Sequence, residues 1–83
     1  MNSIEVNDRL LCLFQEIVDF SGNDLRDDLT PQHISEWDSI NHITLMMEVQ
    51  LQFGITFTTL EVKSIKSVRE LRSAILKHLS VGI

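Results

Sequence analysis

The chain has 83 residues, 43% of them hydrophobic, with seven basic and twelve acidic side chains and a net charge of −5. That is one small domain with a thin core, and its apolar share argues against global disorder. The longest apolar run, Leu10 to Phe14, is five residues, whereas a membrane span needs about 20, and a chain this acidic is a poor partner for nucleic acid.

The opening Met1-Asn2-Ser3-Ile4-Glu5 has no basic segment leading into an apolar one, so it does not read as a signal peptide. A single cysteine, Cys12, rules out an internal disulfide framework. These features point to a soluble, cytoplasmic protein of one domain over 1–83. Charge is uneven along it. Residues 1–48 hold ten acidic and two basic side chains, and residues 49–83 hold two acidic and five basic. The acidic half either steers a basic partner or is a solvated surface that keeps the protein soluble.

Helical periodicity dominates, and no alternating β-branched run is bounded by hairpin turns. Val6, Leu10, Leu13, Phe14, Ile17 and Val18 recur at three- and four-residue steps. They predict a first helix over about 3–20, ending near Ser21-Gly22-Asn23. Cys12 falls within it, as a small packed or half-packed side chain with no basic neighbour to make a thiolate.

Residues 21–37 read as a long loop. Asp24, Asp27, Asp28, Thr30 and Pro31 discourage a helix. Leu25, Leu29 and Ile34 are expected to peg the loop to the core, and Trp37 to anchor its end by packing. So long a connection in a small domain is often functional.

Asp38 is a good N-cap for a second helix carrying Ile40, Ile43, Met46, Met47, Val49, Leu51 and Phe53. Its apolar content exceeds one stripe, which implies cover on more than one side. Gly54 suits the C-cap, and Ile55 and Phe57 bracket Thr56 in a short extended link. Two capping boxes follow, Thr58-Thr59-Leu60-Glu61 and Ser67-Val68-Arg69-Glu70. The first starts a short helix to about Lys63. The second starts a longer one with Val68, Leu71, Ile75 and Leu79 on one face and a basic surface from Lys66, Arg69 and Arg72. A frayed tail is expected over 80–83. The fold class is all-α: three longer helices, one short helix and a long first loop, with a core over about 4–79.

Chemistry for autonomous catalysis is sparse. His33, His42 and His78 are not at metal-ligand spacing, so no metal is expected. There is no phosphate-binding glycine loop. Ser39 and His42 lie three apart, without an oxyanion motif around them. The chain does not read as an enzyme. What remains is Glu36-Trp37-Asp38-Ser39-Ile40-Asn41-His42-Ile43, which sets a serine in the first turn of a helix after an aspartate cap. Amides there point outward and the helix dipole favours an anion, so a phosphodiester on Ser39 would be well placed. The plainer reading is capping chemistry alone.

The chain resembles the acyl carrier protein family. The likeness rests on Asp38-Ser39-Ile40, a version of the family's Asp-Ser-Leu signature. It continues through Ile43, Leu45, Met46, Met47, Val49 and Phe53-Gly54-Ile55, then Phe57-Thr58-Thr59-Leu60-Glu61 and Ser67-Val68-Arg69-Glu70-Leu71. It covers about residues 4–79. It implies an acyl-carrier-like four-helix bundle, freestanding and monomeric. It also implies that a phosphopantetheinyl transferase attaches 4′-phosphopantetheine from coenzyme A to Ser39, within a motif that includes Asp38. The arm's thiol then holds an acyl thioester. An acyl-loading ligase or acyltransferase charges it, and downstream synthase or transferase enzymes consume it.

One departure from the family pattern is informative. Members carry several carboxylates along the second helix, whereas here Asn41, Thr44, Gln50, Leu51 and Gln52 leave Glu48 as the only acid beyond the cap. That favours dedicated partners in specialised polyketide, lipid or modified-sugar biosynthesis over generic fatty-acid enzymes. Candidate partner-facing residues are Glu36, Trp37, Ile40, His42, Ile43, Met47, Glu48 and Leu51, with Asp27, Asp28 and Asp38 adding charge. His42 either touches the arm or the transferase, or is a solvated surface histidine. Met46 and Met47 either line a cargo cavity or pack in the core. Two rivals remain at this level: an aminoacyl or peptidyl carrier using the same arm, and an unmodified helical interaction module.

Overall fold

Four helices form in the order that the hydrophobic spacing predicts. They are α1 (Ser3–Ile17), α2 (Ser39–Phe53), α3 (Thr59–Ser64) and α4 (Val68–Val81). The structure, a computed structural model, describes residues 3–81. Among these residues there is no strand, and no helix is long and apolar enough to cross a membrane.

The buried stripe of α1 is Val6, Leu10, Leu13 and Phe14, continued past the helix by Val18. It packs against α2 and α4, where Leu45, Met46, Val49 and Phe53 meet Val68, Leu71 and Ile75 in one core. Phe14 stands edge-on to Trp37, ring centroids 5.1 Å apart and planes at 88°, the arrangement favoured by aromatic quadrupoles. α1 stops earlier than its periodicity predicts. Asp19 adopts a left-handed conformation, φ 52°, which a short polar side chain tolerates. Phe20 N–H then turns back onto the Phe14 carbonyl at 3.2 Å. Cys12 is exposed, not packed, because it falls on the outer face of α1.

The long loop is pegged as expected by Leu25, Leu29 and Ile34, all buried. It also does something that the spacing does not show. Its carbonyls receive the first amides of α4: Val68 N–H donates to Leu29 O at 3.0 Å and Arg69 N–H to Asp27 O at 3.1 Å. These are donors that a helix start leaves without intrahelical partners. Arg72 ties the same loop to α4, pairing with Asp27 and donating to Leu25 O at 3.0 Å. The expected basic surface on α4 is therefore smaller, since Arg72 is turned inward and Arg69 lies 4.0 Å from Asp27.

The caps hold with one change. Asp38 Oδ1 accepts Asn41 N–H at 2.8 Å, and Thr58 and Glu61 form a complete capping box. Ser67 Oγ accepts Glu70 N–H at 3.1 Å, but its hydroxyl also donates to the Glu70 carboxylate, so that box lacks its return bond to the backbone. Gly54 ends α2 at φ 65°, ψ 38°, where only glycine sits without steric cost. Gln50 secures the link to α3: its Oε1 accepts Phe57 N–H at 2.7 Å while its backbone carbonyl accepts Ile55 N–H at 3.1 Å. α4 continues to Val81, past the end expected from the sequence, and residues 82–83 of the expected tail lie outside the described residues.

α3 is held differently from the other helices. It buries no residue fully, and Leu60 on its outer face is exposed. Half-buried Val62 touches the core, and the remaining attachments are polar. His78 Nε2 meets Glu61 Oε2 at 2.8 Å from α4, and His42 Nε2 meets the Val62 carbonyl at 2.8 Å from α2. With little apolar burial, α3 belongs to the least stable part of the fold.

Candidate functional site

The start of α2 is built from the loop outward. Asn41, which sequence reasoning treated only as a missing acid, donates its side-chain N–H to Glu36 O at 2.7 Å. Together with the Asp38 cap, this fixes the turn that delivers Ser39. Ser39 is exposed, and its hydroxyl makes no hydrogen bond to the described residues. As the first helical residue it also leaves its own amide and that of Ile40 without intrahelical partners. A substituent on Ser39 therefore displaces no packing and breaks no bond, and an anionic one meets a favourable dipole.

His42 is half-buried rather than fully solvated, and both of its ring nitrogens are bonded within the protein. Trp37 Nε1–H donates to its Nδ1 at 3.0 Å, and its Nε2 lies 2.8 Å from the Val62 carbonyl. An indole nitrogen only donates and a carbonyl only accepts. In this arrangement Nδ1 accepts from the indole and Nε2–H donates to the carbonyl. The ring also stacks on Trp37, centroids 6.1 Å apart. His42 is thus a strut joining the buried Trp37, α2 and α3. The same bonds overturn any nucleophile-and-base reading with Ser39, because both ring nitrogens are occupied. Trp37, 2% exposed, offers no partner-facing surface. Its part is the packing anchor.

Beside Ser39 lies an open groove of about 330 Å³ between α2, α3 and the loop. Trp37, Ile43, Val62 and Ile65 give it an apolar lining, with Ser39, Lys63 and Lys66 also bordering it. A larger cleft of about 540 Å³ lies away from Ser39, between α1, the loop and Arg72. Its polar lining includes the Arg72–Asp27 pair already used to hold the fold.

Along α2 the remaining candidates separate by face. Ile40 (76%), Ile43 (55%), Met47 (58%) and Leu51 (73%) form an exposed apolar stripe at steps of three and four. The broad apolar content of this helix therefore does not mean cover on both sides. One stripe is core and the other is surface. Met46 is buried and Met47 is outside, so they do not line one cavity together. Glu48 is half-buried beside the stripe and Glu36 is exposed. Among the other loop acids, Asp27 is paired with Arg72, Asp28 with Arg26 at 3.4 Å, and Asp38 is engaged in capping. No group of three or more His, Cys, Asp or Glu among the described residues is placed to hold a metal ion.

No family model and no curated protein sequence matches the chain. Its structure is similar to the solution structure of the holo acyl carrier protein from Geobacter metallireducens. The TM-score is 0.80 at 25% identity, over 90% of this chain and 86% of that one. The chain has the acyl carrier protein fold. On this carrier fold, the fasteners that sequence reasoning missed are Asn41, Gln50 and His78, together with the second role of Glu61 in pairing with His78. The spacing of the Thr58–Glu61 capping box signalled Glu61 alone, and only its first role. The other bonds connect segments that are far apart in the chain or depend on side-chain direction.

Proposed function

We propose that the protein is an acyl carrier whose Ser39 bears 4′-phosphopantetheine. A phosphopantetheinyl transferase supplies the arm from coenzyme A. The Ser39 oxygen forms a phosphodiester, the nucleotide half of coenzyme A leaves, and the hydroxyl proton passes to the transferase. When bound, the arm supplies a terminal thiol that carries an acyl group as a thioester. The carrying observation is the exposed, unbonded Ser39 hydroxyl at the start of α2, on a fold similar to that of a holo acyl carrier protein. The chain's own residues position rather than react. Asp38 and Asn41 fix the turn, and the Trp37–His42–Val62 relay holds α3 beside it.

Partner enzymes read α2 by its apolar stripe, with Glu36 and Glu48 adding charge at its side. Such a surface suits dedicated partners of a specialised polyketide, lipid or modified-sugar pathway, because an apolar stripe in place of a row of carboxylates favours partners that match its shape over partners that read negative charge. Intact mass tests the carrier reading, after incubation with coenzyme A, magnesium and a broad-specificity transferase. One phosphopantetheine added to the parent and none to Ser39→Ala is the expected result. A folded parent that also fails with the transferase of its native source overturns the reading. Loading assays with acyl- and aminoacyl-activating enzymes then distinguish the cargo classes.

A further inference from the structure

We infer that the surface around Ser39 is polarised across its apolar stripe, and that it docks a transferase of matching polarity. That enzyme carries basic groups opposite Glu36 and Glu48 and acidic groups opposite Lys63 and Lys66. The inference rests on the carrier reading above and adds the charge pattern of the enzyme that acts on Ser39. Ile40, Ile43, Met47 and Leu51 form the exposed crest of α2. Asn41 and Glu48, seven residues apart, share one flank of that crest. The Asn41 side-chain N–H reaches the Glu36 carbonyl at 2.7 Å, so Glu36 stands at the head of the same flank. The opposite flank faces α3. There Ile43 borders a groove whose far rim, on α3 and the α3–α4 link, carries Lys63 and Lys66. Both lysines are exposed.

Neighbouring charges are engaged elsewhere. Glu61, the acid of α3, is turned to the Thr58 amide and to His78. Arg69 and Arg72 lie with Asp27, and Glu5, Asp8 and Glu16 belong to α1. Asp38 borders the groove from the α2 side, where its carboxylate caps the helix, so one carboxylate stands against two ammonium groups. The net charge of −5 is therefore not what an enzyme meets at Ser39. A uniformly basic partner is repelled along α3. A partner with acid on that side and base on the other is attracted along both flanks. The crest alone is aliphatic from end to end and tolerates docking in either of two directions. The flanking charges differ under a half-turn, which would set like against like, so they select one direction.

The experiment measures initial rates of phosphopantetheine transfer from coenzyme A by the transferase of the native source, with the carrier concentration varied. A parent that is never loaded overturns the carrier reading itself, before its charges are involved. With a loaded parent, Lys63→Glu/Lys66→Glu is expected to raise KM about tenfold, because two weak attractions become repulsions. Glu36→Gln/Glu48→Gln is expected to raise it about threefold, and kcat stays within about twofold in both. High salt raises the parent's KM and narrows both differences. Lys63→Arg/Lys66→Arg keeps the parent's KM, as does the control Lys77→Glu, on α4 outside the groove. Amide spectra unchanged away from the substituted sites show that folding is intact, and the milder Lys63→Gln/Lys66→Gln falls between parent and reversal. An unchanged KM in the lysine reversal overturns the inference, because the lysines then lie outside the interface. A lowered KM overturns it too, because the enzyme then reads negative charge over the whole face. An unchanged KM in Glu36→Gln/Glu48→Gln removes the other flank and overturns it equally.

Discussion

Replacing His42 by phenylalanine tests the relay that joins the loop, α2 and α3. The substitution keeps an aromatic ring against Trp37 and removes both nitrogen contacts, to Trp37 Nε1–H at 3.0 Å and to the Val62 carbonyl at 2.8 Å. The two losses differ in cost. Val62 is half-buried, so water can replace its donor, and that bond is worth about 1 kcal/mol. Trp37 is 2% exposed, so its N–H is left buried and unpaired, at a cost of about 1–3 kcal/mol. The sum is about 2–4 kcal/mol, a large share of the roughly 4–12 kcal/mol expected of a domain this size. At about 4–8 °C per kcal/mol for a chain of this length, the melting temperature falls by at least 8 °C or so. Urea unfolding followed by the fluorescence of Trp37, the only tryptophan, measures it at the site. Hydrogen exchange adds a local readout, because α3 amides lose protection more than those of α1. A His42→Phe protein within about 0.5 kcal/mol of the parent, the usual range for a plain surface substitution, would show that the relay carries no stability and refute the reasoning.

Three further outcomes follow from the same structure. Gly54→Ala should cost about 1 kcal/mol by equilibrium unfolding. A Cβ there meets nothing within 4 Å, so the cost is the left-handed backbone alone, and a neutral result would mean that α2 ends differently. The Thr58 amide, then the His78 ring, hold the Glu61 carboxyl below its ordinary value near 4.5. A lowered carboxyl favours the folded state above the unfolded pKa, and that contribution fades as pH falls through the lower folded value. Acid titration of stability should therefore be shallower over that window in Glu61→Gln than in the parent, and parallel curves would contradict the assignment. Ile43→Ser/Met47→Gln should leave the melting temperature within a few degrees, since both residues lie on the exposed stripe, while weakening association with a cognate partner enzyme at least tenfold in a binding titration. Unchanged affinity would remove the stripe from the docking surface.

The amino-acid sequence by itself determined the helices and their caps, because these depend on neighbours three or four residues away. The stripe of Val6, Leu10, Leu13 and Phe14, the aspartate cap before Ser39 and the Thr58–Glu61 box are all local patterns. It also located the exposed serine, since a helix start is legible from its cap. Tertiary structure decided which of two apolar stripes on α2 is core: both have helical spacing, and only the packing of α1 against one of them separates Met46 from Met47. It likewise decided the fate of His42. One partner is five residues back and the other twenty ahead, so no local pattern distinguishes this strut from a surface histidine. The same holds for Arg72, which reads as one more basic side chain on an exposed face until the loop around Leu25 and Asp27 closes over it. Short-range periodicity fixes each helix, but the bonds that fasten helix to loop are set by the distance across the fold, which spacing along the chain does not encode.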